Sequence, residues 1–430
     1  MRCQINVDHI ARIEGHGNVH LVIEDGAVKT CEMNVVEPAR LFEGMVRGRI
    51  FSEVPYIASR ICGICSSSHV VTDLLAIERA FGVDTSDRTD ALRELLIYGS
   101  YLQNHATHLF VFAAPDFTGH ASMFPLAEEA PELFNQALAL KALGNELCTK
   151  VGGRSVHPIT AVVGGFTHEI SRDEYLALAD KLEAAIPFAE QTVDLFNAFP
   201  VPDIETRGEM LAMVQDGGYP VCTSRTAAFL QEDERFDADD ARGRIEEYAV
   251  PHSGALFARA ASSARPYMTA SLARINASWK HLGQRARLAS AKAGLRPPEK
   301  NPFRNNVAQA VELVDALDRC AGLCRRLAEG DDGFAGSSAP AAFTPRAGRA
   351  VGFTEAPRGA LFHELAFDDE GRVTHASILT PTAQNIANLE DDMRLLANKL
   401  VGEGASEADI RLKVEELVRA YDPCLSCSVH

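Results

Sequence analysis

Apolar positions along this 430-residue chain follow two patterns, one of period two and one of period near 3.6. Near the amino terminus, residues 19–23 alternate, Glu24-Asp25-Gly26 supplies a turn, and 28–36 returns, which predicts a β-hairpin. From about Val70 the spacing becomes helical. It predicts helices over 72–81, 87–114, 132–151, 171–199, 311–327, 385–400 and 407–421. A further helical stretch is expected over 242–288, interrupted at Pro251 and Pro266. A second hairpin is expected from 361–367 and 373–379 around the turn at 368–371. Residues 330–349 are rich in Gly, Ser, Ala and Pro and read as a loop with freedom to move. With no internal repeat and no heptad run, the expected class is mostly α with small β-hairpins (α+β), as a single domain over 1–430.

Composition narrows the function classes. The chain is 46% hydrophobic and 23% charged, which suits a globular protein with a sizeable core. Its net charge of −17 disfavours nucleic acid and acidic membranes as partners. The first residues carry no apolar signal core, and no stretch reaches the ~18–20 apolar residues of a spanning helix. The expected location is therefore the cytoplasm, with no direct membrane insertion. Ten cysteines do not form the framework of a small secreted protein. Cys3, Cys31, Cys148 and Cys222 stand alone and read as small buried hydrophobes, and Cys320 and Cys324 share one helical face in the same role.

The remaining four cysteines carry the chemistry. Arg60-Ile-Cys62-Gly63-Ile-Cys65-Ser-Ser-Ser-His69 and Asp422-Pro423-Cys424-Leu-Ser-Cys427-Ser-Val-His430 are separated by 358 residues. Two intervening residues let both sulfurs of a pair turn toward one point, so each pair offers two thiolates to one metal. A structural zinc is one reading. Zinc usually staples a compact local module, however, whereas these pairs bracket almost the whole chain and each is trailed by a histidine. A redox metal is the other reading, and spacing alone leaves both open.

These two motifs together resemble those of the large subunit of [NiFe] hydrogenases, most closely the cytoplasmic bidirectional (group 3) type. Arg12-Ile-Glu14-Gly-His16, Gly152-Gly-Arg154-x-x-His157-Pro158, Pro357-Arg358-Gly359 and Pro381-Thr382-x-x-Asn385 occur in family order, so the resemblance spans the chain. Arg40 is followed by Leu41 rather than the glycine usual in membrane-bound uptake enzymes.

The resemblance implies reversible heterolytic cleavage of H2 into protons and electrons at a Ni–Fe centre, with carbon monoxide and cyanide on the iron. Cys62 and Cys424 would be terminal on Ni, and Cys65 and Cys427 would bridge. Soft thiolates suit both metals. The proton would pass to a terminal thiolate, Cys424, and then to Glu14. Arg358 would stand over the open metal face as a fixed positive charge, oriented by Asp116. Pro381 and Thr382 would contact the cyanides, and His69 would donate to a bridging sulfur. Glu43, His430 and the carbonyl of Ile378 would hold Mg2+ or Fe2+. His105 and His108 are candidates for the proton network, with core packing as the other reading.

The resemblance also implies an obligate iron–sulfur small subunit, further electron-carrier subunits and maturation proteins. His430 is where the family's C-terminal extension is cut, so the sequence corresponds to the processed form or to a gene without the extension. Two alternatives share the fold: a hydrogen-sensing regulatory protein, and a metal-free quinone-reductase-type relative, against which the four cysteines argue.

Overall fold

A computed structural model describes residues 2–430. It opens with three antiparallel strands, β1 (Arg2–Val7), β2 (Gly17–Glu24) and β3 (Ala27–Val35), in that spatial order. The expected hairpin is β2–β3. Its register sets Val19 opposite Met33 and Leu21 opposite Cys31, so alternation carries all four into the core.

The long helices are α1 (Ser66–Phe81), α2 (Asp87–Ala106), α3 (Pro131–Gly152), α4 (Arg172–Ala198), α5 (Asn305–Ala328), α6 (Pro381–Gly402) and α7 (Glu407–Ala420). Their starts follow local chemistry. Ser86 accepts the Thr89 N–H, while Ser171 with Glu174 and Ser406 with Asp409 close capping boxes. The α4–α5, α2–α3 and α2–α5 pairs pack into the main core, where Cys320 and Cys324 of α5 are fully buried. Cys31 and Cys148 are buried as expected, but Cys222 is half-exposed, and the side chain of Cys3 lies outside the described residues. Beyond Ala106 the helical expectation holds with a change of pitch. Thr107–Ala113 is a π-helical turn, and α-helix resumes over Ala114–Thr118.

Residues 242–288 depart from the helical expectation. Ile245–Tyr248 and Phe257–Ala260 pair as antiparallel strands, and Tyr267–Met268 pairs parallel with Glu209–Val214. Helix is limited to the short turn Ala241–Arg244, to Ser271–Ser278 with the 3-10 turn Trp279–His281 after it, and to Gln284–Lys292. The two prolines leave apolar runs too short to show a period, and partners distant in sequence recruit such runs into sheet. Thr226–Phe229 and Glu234–Asp237 extend the sheet of Glu209–Val214.

The late hairpin gains a third strand as well. β4 (Gly348–Ala356), β5 (Gly359–Phe367) and β6 (Val373–Leu379) are antiparallel, and α1 packs on β4 and β5. Gly359, at φ 128°, makes the β4–β5 turn; a Cβ there would strike the Thr269 carbonyl. The segment 330–349 is tied down rather than loose. The Ser338 carbonyl accepts the Phe166 N–H at 2.7 Å, and Ser86 Oγ donates to the Ser337 carbonyl at 2.7 Å. Among the described residues no helix is long and apolar enough to cross a membrane.

Candidate metal centre

Three pieces of backbone meet to build the centre. Cys62 follows the short turn Ser59–Ile61, and Cys65 stands at the N-cap of α1. The tail after α7 carries Cys424 and Cys427 back beside the β1–β2 connection, where Leu425 N–H donates to the Glu14 carbonyl at 2.9 Å. Gly15, at φ 84°, permits this approach: a Cβ there would lie 2.9 Å from both Leu425 Cβ and Ser426 N. Arg40 ties the two motifs together by donating to the carbonyls of Ile61 and Ser426.

All four cysteines are buried. Their sulfurs approach to 3.4 Å for Cys62–Cys424, 3.8 Å for Cys65–Cys427 and 2.50 Å for Cys424–Cys427. The hydrogen bond from Cys65 brings Cys62 down to about 7, and Arg358 adds to this against the opposing effect of burial. Cys65 is raised, as the donor of that bond and by burial. Four buried sulfurs gather here, with Cys424 and Cys427 joined as a disulfide; once that bond is reduced, the donor set suits a soft transition metal.

Around this cluster the side chains divide by position. Glu14 Oε2 accepts from Cys424 Sγ at 3.0 Å and from the Ser426 N–H at 3.2 Å, and Glu14 is half-buried. Arg358 is buried, and its Nε donates to the Asp422 carbonyl (2.8 Å) and Oδ1 (3.1 Å). Its Nη1 finds no hydrogen-bond acceptor among the described residues. Burial would lower the guanidinium, but Asp422, Cys62, Cys65 and Glu14 raise it, so it stays charged. Such an orphaned cationic edge beside four sulfurs fits an electron-rich group bound there.

Asp116 does not orient Arg358, contrary to the expectation. It receives Arg419 at Nε (2.6 Å) and Nη2 (2.8 Å), together with Arg12. The carboxylate on Arg358 is Asp422, held in turn by Asn104 Nδ2 (2.8 Å) and Gln309 Nε2 (3.0 Å). Burial alone would raise Asp422, yet Arg358, His108 and these amides carry it below its ordinary value. Asp422 stands in the quoted motif, so its polarity was a visible signal. Asn104 and Gln309 had none, because their contacts cross long stretches of chain.

His105 lies one residue beyond Asn104 and bonds Glu312 Oε2 at 2.9 Å, while His108 sits between Gln309 Oε1 and the Arg419 carbonyl. Both are buried and hydrogen-bonded in the wall behind Asp422. Pro381 starts α6, and Thr382 Oγ1 accepts the Cys424 N–H at 3.0 Å. Thr380 Oγ1 donates to the Cys427 carbonyl at 3.2 Å. A ring nitrogen of His69 lies within 4.8 Å of the Cys65 and Cys427 sulfurs. Burial, with His363 nearby, holds His69 well below the usual imidazole value.

Glu43, Ile378 and His430 come together at the edge of the cluster. Glu43 Oε1 accepts the Ile378 N–H at 2.7 Å and lies 4.0 Å from His430 Nε2. His430 Nε2 is 2.5 Å from the Ile378 carbonyl, and its Nδ1 is 2.9 Å from the Cys427 carbonyl. A carboxylate, a carbonyl and an imidazole form a donor set suited to a hard or borderline divalent cation.

Comparison with known proteins agrees with this geometry. A family profile described as nickel-dependent hydrogenase matches residues 40–133 and 306–430, and one described as HoxL-like matches 4–37. The alpha chain of sulfhydrogenase 1 from Pyrococcus furiosus is 34% identical, over 99% of this chain and 97% of that one. The alpha chain of sulfhydrogenase 2 from the same organism is 32% identical, over 99% and 98%. A crystal structure of an NAD+-reducing [NiFe]-hydrogenase in the H2-reduced state superposes with TM-score 0.86 at 27% identity, covering 100% of this chain and 99% of that one.

Proposed function

The chain belongs to the nickel-dependent hydrogenase family as a catalytic subunit that cleaves H2, and from that premise we propose a role for each residue of the centre. Cys62, Cys65, Cys424 and Cys427 hold nickel and iron inside a single domain that both ends of the chain must close. When bound, that pair, with carbon monoxide and cyanide on the iron, supplies the reversible heterolytic cleavage of H2 into two protons and two electrons.

The observation that carries the reading is the meeting of Glu14 with Cys424 inside a four-sulfur cluster. Glu14 Oε2 lies 3.0 Å from Cys424 Sγ, within proton-transfer reach of that sulfur in its reduced form, which supports Cys424 Sγ as the first proton acceptor and Glu14 as the second. Ser426, bonded to Glu14 through both N–H and hydroxyl, keeps the carboxylate aimed at the sulfur. Arg358 provides a fixed positive field, preorganised by Asp422. Asp116 acts one step away, as a clamp on Arg12 and Arg419, whose chain neighbours include Glu14 and Asp422. Pro381 and Thr382 line the iron side. Glu43, His430 and the Ile378 carbonyl bind Mg2+ or Fe2+ and pin the tail.

Electrons leave through other subunits. An iron–sulfur small subunit is the first partner, with a soluble carrier beyond it, in keeping with the multi-chain naming of the relatives. Exposed Leu41 caps the helix Phe42–Val46 and exposed Met45 lies on it; this helix packs on the one bearing exposed Tyr56, and this supports an apolar docking face near the cysteines.

The test is metal analysis with infrared spectroscopy on the purified complex. About one nickel per chain, iron, diatomic-ligand bands and H2-dependent reduction of an artificial acceptor are expected. Zinc alone and no bands, after expression with maturation proteins, would sink the reading.

A further inference from the structure

Behind the Cys65–Cys427 edge of the cluster lies a buried line of three titratable side chains. His69 and Asp73 stand four residues apart on α1, and His363 faces them from β5. All three are at most 1% exposed. His363 Nδ1 lies 2.7 Å from Asp73 Oδ1, and His363 Nε2 lies 3.0 Å from His69 Nδ1. With its Nδ1 engaged, His69 has only Nε2 left to face the two sulfurs.

Proton bookkeeping along this line has two solutions. Burial raises Asp73 while His363 beside it favours the ionised form; as a carboxylate it only accepts, and His363 Nδ1 then carries the proton. If His363 is neutral, its Nε2 is bare and His69 Nδ1 must donate to it. His69 Nε2 then turns a lone pair on metal-bound thiolates, which are themselves pure acceptors. A buried junction of two acceptors is costly. One additional proton removes the conflict. His363 then donates at both nitrogens, to Asp73 and to His69, and His69 donates from Nε2 to sulfur.

We propose that Asp73 and His363 are positioning residues that hold this additional proton between them and so make His69 a donor to the Cys65–Cys427 sulfurs. The inference rests on the reading of those cysteines as thiolate ligands. Asp73 is equipped for the task. Its Oδ2 has no hydrogen-bond partner among the described residues, so its charge is spent on His363 alone. A helix and the central strand of a sheet carry the three groups, which fixes their spacing as no loop would. The donation draws electron density from sulfur, and His363 controls it without touching the metal.

The experiment uses the assembled enzyme labelled with 15N-histidine. Long-range 15N–1H spectra report which ring nitrogens of His69 and His363 carry protons, and infrared spectra report the diatomic bands. Wild type is expected to show His69 protonated at Nε2. His363→Gln supplies an amide N–H to His69 Nδ1, and Asp73→Asn supplies an acceptor to His363 Nδ1 through its carbonyl, so the first variant should keep that tautomer and the second should weaken it. His363→Leu should release it and shift the infrared bands, which His363→Gln should return toward wild type. A wild-type His69 protonated at Nδ1, or bands identical in His363→Leu and His363→Gln, would overturn the proposal. Nickel is measured on the same samples. Its absence would overturn the functional reading and this inference with it, whereas His69 protonated at Nδ1 with nickel present would overturn this inference alone. Thermal melts of each variant separate misfolding from a tautomer effect.

Discussion

The two edges of the sulfur cluster are built on different principles. At the Cys424 edge, Glu14 is half-buried and comes from a connection between strands, with Ser426 and the backbone of the tail as its partners. At the Cys65–Cys427 edge, His69, His363 and Asp73 are sealed in the core on a helix and a strand. A group that relays protons must bond the donor and still reach outward, whereas a group that tunes a ligand works best when it cannot move. Arg358 stands between these cases. It is buried and immobile, yet one edge of its guanidinium is unspent. The difference shows how one cluster can pass protons on one side and hold a constant field on the other.

Breaking the cluster itself abolishes the comparison, and Cys62→Ser is therefore the largest effect. Nickel falls to background and H2 oxidation disappears, as metal analysis and gas uptake will show. Glu14→Gln separates the edges. Turnover and H2–D2 exchange are expected to fall about 10²–10⁴-fold, while nickel content and infrared bands stay at wild-type values. An exchange rate close to wild type would remove Glu14 from the proton path. Arg358→Lys keeps the charge but loses the fork on Asp422, and a loss of about 10²–10³-fold in kcat with metal retained is the expected result.

Asp116→Ala acts on stability instead. It leaves the buried Arg419 guanidinium with Glu415, at 3.5 Å, as its remaining carboxylate, and chemical denaturation should register a loss of about 3 kcal/mol. If kcat per nickel fell as steeply as in Arg358→Lys, the assignment of Asp116 to the clamp would be wrong. The smallest effect is a pH slope. Burial raises Asp392 to about 7, against the hydrogen bond from Tyr421, so the folded state holds a proton that the unfolded chain releases near 3.8. The stabilisation is complete below that value and is lost as pH rises toward 7. Asp392→Asn should flatten the fall in stability over this window, read from melting temperatures at fixed salt.

Elements whose signal is local were legible. The helical period placed α4 and α7 within a residue or two and found α5 except for its first turns, which start at Asn305, and alternation found β2–β3 and β5–β6. The third strand of each sheet was missed, because a strand paired at an edge needs no pattern beyond what its neighbour completes. Residues 242–288 misled for a related reason: Ile245–Tyr248 and Phe257–Ala260 are too short for period to discriminate, and pairing decided them. At the site the two cysteine pairs stood out by their own spacing, whereas Glu14, Arg358, Glu43 and the roles of His69 and His430 were legible only through the resemblance of their short motifs to those of the family. Asp116 was paired with the wrong arginine. The π-helical turn before it and the path of α7 decide its neighbour, and neither is visible in sequence.

The sequence by itself determined the donor set: four thiols in two pairs, a carboxylate, an arginine, and histidines at fixed offsets from them. Side-chain chemistry and close spacing are properties of the chain, and they narrow the metal to one that takes thiolates while leaving zinc and a redox metal both open. The tertiary structure alone decided which of these groups touch. Asp422 rather than Asp116 receives Arg358, and His363, 294 residues from His69, becomes the partner of its ring. Contacts of that range depend on packing and loop closure over the whole chain, which no local pattern encodes.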